Sequence, residues 1–239
     1  MKLNVLGKIP RALIYIDEKR MNRVLEKLDT DQMLITDPYA IYYLTGRWIF
    51  AGERFLGLLI KKGQKPILYL NELFRFDEDL GVTKKMITDT DSVAELLKCD
   101  VDPNKALGVD KTLAARFLLP MIDGAIASKF INGSLAVDHT RAIKDEEEIA
   151  LLRESSRIND LAMTEFKKLP KTGMTEIEIA NQMLDIYKKL GAEAYSFSPI
   201  VAFGVNAADP HHMPDDIWIT DTTFRDGQQS RAPYSTEQI

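Results

Sequence analysis

Short apolar runs alternate with amphipathic helical patterns along residues 1–138, and this alternation limits the fold to an α/β layer arrangement. Met21, Val24, Leu25 and Leu28 recur at helical spacing behind Asp17, whose carboxylate suits a helix N-cap, so a helix is expected from there. Met33-Leu34-Ile35-Thr36 reads as a short buried strand. Asp37-Pro38 ends it, because proline lacks an N–H and fixes φ. Ile41-Tyr42-Tyr43-Leu44 then runs to a turn at Thr45-Gly46. Phe55 to Ile60 and Pro66 to Leu70 flank Lys61-Lys62-Gly63-Gln64-Lys65, the pattern of a β-hairpin with a glycine turn. Ser92 to Leu97 is a short helix capped by Asp91 or Ser92. Ala106 to Val109 is a strand, and Thr112 to Ile122 is helical up to Asp123-Gly124.

A second unit is expected over residues 139–216. Asp145 to Lys168 has the length of a long helix, with Ile149, Leu152, Met163 and Phe166 at helical spacing. Its acidic start, Asp145-Glu146-Glu147-Glu148, complements the positive end of the helix dipole, and Lys167 and Lys168 complement the other end. Pro170-Lys171-Thr172-Gly173 breaks the pattern. Thr175 and Glu178 have the spacing of a capping box. Ile177, Ala180, Leu184 and Tyr187 make the inner face of the next helix, and Gly191 stops it. Ser198 to Phe203 reads as a strand feeding a glycine-containing loop.

Composition narrows the function. Thirty-one basic and 36 acidic residues give a net charge of −5, which argues against a nucleic-acid partner, since such binding needs a basic field. Cys99 is the single cysteine, so an intrachain disulfide and a cysteine-based zinc site are excluded, and Cys99 reads as a small helix residue. Met1 to Lys8 has no long apolar core of the signal-peptide kind, and no apolar run approaches the ~20 residues of a membrane helix. A cytoplasmic protein without a membrane partner is the expectation.

Several motifs in order carry a resemblance. Arg141-Ala142-Ile143-Lys144-Asp145-Glu146-Glu147-Glu148-Ile149 is followed by Gly173-Met174-Thr175-Glu176 with Glu178 and Ala180. Then come Pro199-Ile200-Val201-Ala202, Gly204, Asn206 and Pro210-His211-His212. With Asp37-Pro38 and Tyr43-Leu44-Thr45-Gly46 upstream, this succession resembles the Xaa-Pro peptidase family: aminopeptidase P, prolidase and their creatinase relatives. The resemblance covers about nine-tenths of the chain. It implies a creatinase-type N-terminal domain over 1–138 and an incomplete pita-bread catalytic domain over 139–216. It also implies cleavage beside proline, on a proline-containing peptide, by a bridging hydroxide held between two divalent metals of the Mn, Co or Zn type. The family's ligands (two aspartates, a histidine and two glutamates) lie downstream of the histidine loop, so none is assigned here and no metal is expected to bind this chain stably. His211 matches the family histidine that contacts substrate, with His212 as a second candidate. In the chain alone, His211 also reads as a loop histidine without a functional partner, and His139 as an ordinary surface histidine.

The sequence changes character near Asp216–Ile217. Asp221-Thr222-Thr223-Phe224-Arg225-Asp226-Gly227-Gln228-Gln229 resembles the first strand of carboxyltransferase-like TIM barrels, of the isopropylmalate synthase and HMG-CoA lyase type. That resemblance implies a metal-binding role for Asp226 and a catalytic, oxyanion-stabilising role for Arg225, although one strand makes no barrel. The expectation is therefore an Xaa-Pro peptidase-like chain that is inactive by itself. The alternatives are a non-catalytic oligomerisation module acting through the N-terminal domain, and a fragment of an acyl-transfer or lyase enzyme. Residues 1–138 are expected to fold well and the remainder to be only partly ordered, because apolar faces carrying Ile149, Leu152, Phe166, Ile177 and Leu184 would lack partners.

Overall fold

The computed structural model of the protein describes residues 16–214. They divide into two compact units that part at Lys144 and Asp145. The expected boundary at 138 falls inside a helix of the first unit, Ser134–Ala142.

The first unit is a six-stranded sheet with helices on both faces. Its strands are β1 (Gln32–Ile35), β2 (Leu56–Lys61), β3 (Ile67–Asn71), β4 (Thr83–Ile87), β5 (Ala106–Val109) and β6 (Lys129–Asn132), in the order β4-β3-β2-β1-β5-β6. The β2–β3 hairpin forms where the glycine turn predicts it: Gly63 takes φ 72° and the Gln64 amide bonds the Lys61 carbonyl at 3.1 Å. β1–β2 and β2–β3 are antiparallel, whereas β1–β5, β5–β6 and β3–β4 are parallel.

Strand side chains alternate between two cores. Met33, Ile35, Leu58, Ile60, Leu68 and Leu70 face α1 (Glu18–Glu26), α2 (Pro38–Thr45) and α5 (Ser134–Ala142). Leu34, Leu59, Tyr69 and Leu107 face α3 (Val93–Lys98) and α4 (Ala115–Asp123). Each fully buried aliphatic side chain contributes roughly 1.5–3 kcal/mol against the entropy of ordering the chain, and the sheet buries such side chains on both faces.

Local signals set most helix starts. The Asp17 carboxylate accepts the Arg20 amide at 2.9 Å, and Ser92 Oγ accepts the Glu95 amide at 3.4 Å. Asp37-Pro38 does more than end β1. Asp37 caps α2 by accepting the Tyr39 amide at 3.0 Å, and Pro38 occupies the first turn, where its missing N–H costs nothing. Gly46 closes α2 with φ 66°. Helix α4 begins at Ala115 instead of Thr112, because Thr112 is engaged by Asp110.

The second unit is built on α6 (Glu146–Phe166) and α7 (Glu176–Lys189). Both start with a complete capping box, Asp145 with Glu148 and Thr175 with Glu178. The buried faces differ from the expected ones. On α6 the buried residues are Ile158, Ala162 and Phe166, an i, i+4, i+8 row, while Leu152 and Met163 are exposed. On α7 they are Glu176 and Ile179, while Ile177 is exposed. Phe166, expected to lack a partner, packs edge-on against Tyr187 with centroids 5.2 Å apart. Ser198 to Phe203 is not a strand: among the described residues of this unit there is no neighbouring strand to pair with it, and it runs as irregular chain into a 3-10 turn, Gly204–Ala208.

Candidate functional site

The histidine loop of the second unit is pinned to the start of α7. Thr175 Oγ1 caps the helix by accepting the Glu178 amide at 3.2 Å, and Glu178 returns the bond to the Thr175 amide at 2.8 Å. The next residue, Glu176, is fully buried. Its Oε1 accepts the Phe203 amide at 2.5 Å, and its two oxygens lie 3.2 and 3.3 Å from Asn206 Nδ2. His212 Nε2 stands 3.7 Å from Glu176 Oε2. A buried carboxylate is tolerated only with such partners; its hydrogen bonds hold the loop at Phe203 and Asn206, and His212 faces it.

The loop folds on itself between those anchors. Gly204 takes φ 54°, a left-handed conformation that suits glycine, and opens the 3-10 turn. The Asp209 amide bonds the Asn206 carbonyl at 3.0 Å, and the His212 amide bonds the Asp209 carbonyl at 3.2 Å. The Asp209 carboxylate accepts the His211 amide at 3.0 Å. His211 itself is exposed. Beside the loop lies a groove of about 260 Å³ lined by Ile177, Ala180, Leu184, Tyr195, Pro199 and Met213. Tyr195 donates its hydroxyl to the Ala180 carbonyl at 2.8 Å, and burial pushes both its phenol and that of Tyr187 above the ordinary tyrosine range.

The structure thus separates the two histidines that the sequence sets side by side. His212 is drawn toward Glu176 and His211 faces outward. Glu176 escaped the sequence reading as a site residue because an acidic group in a first helical turn is explained by the dipole alone. His139 lies exposed on α5, and Cys99 is exposed at the end of α3. Arg225 and Asp226 lie outside the described residues.

The described side chains do not fit a metal centre: among them no three His, Cys, Asp or Glu residues gather as a group able to hold an ion. No helix among the described residues is long and apolar enough to cross a membrane.

Comparison with known proteins identifies the architecture. Residues 19–143 match the creatinase/prolidase N-terminal domain, and residues 150–228 match metallopeptidase family M24. The chain belongs to the Xaa-Pro peptidase family, with a creatinase-type α/β domain followed by part of a pita-bread catalytic domain. An uncharacterised peptidase of Staphylococcus aureus is 28% identical over 203 residues, which are 82% of this chain and 57% of that protein. The dipeptidase of Pyrococcus horikoshii OT3 superposes with a TM-score of 0.67 at 26% identity, and the prolidase of Thermococcus sibiricus with 0.70 at 25%. Each match covers 84% of this chain and 57% of the other. The chain spans a little over half the length of these relatives. None of these matches supports the carboxyltransferase-like reading of 217–239, and the M24 match itself runs on to residue 228.

Proposed function

We propose that this chain is the N-terminal domain and substrate-side portion of an Xaa-Pro peptidase, acting on peptides at the bond before proline. The observation that carries the reading is the loop 203–212, held on Glu176 with His211 outward, inside the stretch that matches the metallopeptidase family. An imidazole so placed can donate to or accept from a peptide carbonyl or amide, and can stabilise charge developing on the scissile carbonyl. The pair of divalent metals used by complete relatives would supply the attacking hydroxide. The side chains of residues 16–214 do not gather to hold that pair, so we also infer that the 239-residue chain does not hydrolyse peptide bonds alone. The test joins residues 1–214 to the C-terminal part of a solved prolidase. A folded, metal-loaded hybrid is expected to cleave Xaa-Pro peptides in preference to Xaa-Ala peptides, and His211→Ala is expected to lower turnover. Equal cleavage of both peptides would overturn the assignment.

A second reading, self-association through the first unit, is favoured by one surface feature. Tyr39 and Phe50 are 60% and 73% exposed, and Trp48 packs tilted against Tyr39 and edge-on against Tyr42 at centroid distances of 5.0 and 6.0 Å. Exposed aromatic clusters of this kind are enriched at protein interfaces. Light scattering on the chain and on Phe50→Glu decides it: a species that is monomeric at every concentration removes the reading.

A further inference from the structure

The buried end of α7 assigns different tasks to the two adjacent histidines. Glu176 is fully buried, and its carboxylate reaches forward across at least 27 residues into one loop: the Phe203 amide at 2.5 Å, Asn206 Nδ2 at 3.2 and 3.3 Å, and His212 Nε2 at 3.7 Å. Helix start and capping do not require it, because Thr175 and Glu178 already complete the box. A carboxylate fixed by a backbone amide and an amide side chain has little freedom to turn, and its Oε2, also 3.3 Å from Asn206 Nδ2, faces His212 Nε2 at 3.7 Å. The His212 side chain is 24% exposed, and His211 is left in solvent.

We propose that Glu176 is the positioning residue of the histidine loop: by anchoring Phe203 and Asn206 and facing His212 it turns His212 inward and presents His211 to the substrate side. His212 then serves the loop's architecture and makes no substrate contact. The substrate side is that of the peptidase reading, whereas the sorting of the two imidazoles is independent of it.

The test measures acylation of each histidine by diethyl pyrocarbonate on the full 239-residue chain, resolved by peptide mass spectrometry. His212 reacts only when the loop opens locally, so in the wild type His211 is expected to react roughly tenfold faster. Glu176→Ala is expected to bring the two rates within about twofold. Glu176→Gln, which keeps the size and one acceptor oxygen, is expected to give an intermediate ratio while amide exchange in α6 and α7 stays as in the wild type. A merely structural role would raise both histidine rates together with exchange across the helices. Equal rates in the wild type, or an unchanged ratio in Glu176→Gln, would overturn the proposal. Neither outcome depends on peptide hydrolysis, so failure here and failure of the peptidase reading are distinguishable.

Discussion

Replacing Asp110 by asparagine should destabilise the first unit nearly as much as replacing it by alanine. Asp110 follows β5 and is only 8% exposed. Its Oδ2 accepts the amides of Thr36 and Asp37 at 2.5 and 2.9 Å. Its Oδ1 accepts Thr36 Oγ1 and Thr112 Oγ1, both at 2.7 Å, and the Thr112 amide at 3.0 Å. Every partner donates, and a backbone amide faces each oxygen. An asparagine NH2 would therefore meet an N–H donor whichever way the amide is turned. Hydrogen bonds to a charged group are worth about 1.5–3 kcal/mol each, but bonds to one hub are not additive. With partial access of water to the site, the expected loss is about 3 kcal/mol for either substitution, or roughly 10 °C in Tm for a unit of this size. Urea denaturation followed by the fluorescence of Trp48, which lies in the first unit, measures it. Asp110→Asn within ~1 kcal/mol of the wild type would refute the argument that an all-acceptor group is required.

Three further outcomes follow from the packing. Gly57→Ala should lower stability by about 1–3 kcal/mol although alanine restricts the unfolded chain, because its Cβ would lie 2.7 Å from the Phe55 ring and 3.0 Å from Leu34 Cδ1; a double-mutant cycle with Phe55→Leu should recover part of the loss. Burial first, and then the hydrogen bond to Asp100, push the Tyr69 phenol well above the ordinary tyrosine value of about 10, so its contribution is complete below about pH 10 and fades as pH rises beyond it. Tyr69→Phe should remove that share of the alkaline loss of stability in pH-dependent denaturation, and an unchanged alkaline slope would contradict the assignment. Among the described residues of the second unit the apolar cluster is small, Ile158 and Ala192 with Tyr187 and Leu190 against them, so hydrogen exchange in α6 and α7 should be faster than in β1–β3; equal protection would show that the unit holds more core than these contacts supply.

The legible parts of the fold are those written locally. Asp17, Ser92 and the two capping boxes lie within three residues of the amides they bond, and the Gly63 hairpin is a contiguous signal. Helix α2 was missed because Asp37-Pro38 is equally good at ending a strand and starting a helix, and the sequence displays only one use at a time. Strands β4 and β6 were missed because they lie at the two edges of the sheet: Thr83–Ile87 and Lys129–Asn132 are partly exposed and polar, with no apolar run to announce them. The expected strand at 198–203 had the right residues, but strand pairing requires a neighbour that no local pattern reveals. At the candidate site, the family-like succession of motifs located the histidine loop. It put His211 ahead of His212, but it did not reveal Glu176, which reaches the loop from 27 residues upstream of Phe203.

In the proposed function, residues 16–214 provide the substrate side of an Xaa-Pro peptidase and do not themselves build a metal centre. Metal content and hydrolysis of an Xaa-Pro peptide, measured together on the purified 239-residue chain after incubation with Mn, Co or Zn, test it most directly. The account predicts no stoichiometric metal and no turnover. Stoichiometric metal with turnover of the Xaa-Pro peptide would contradict it.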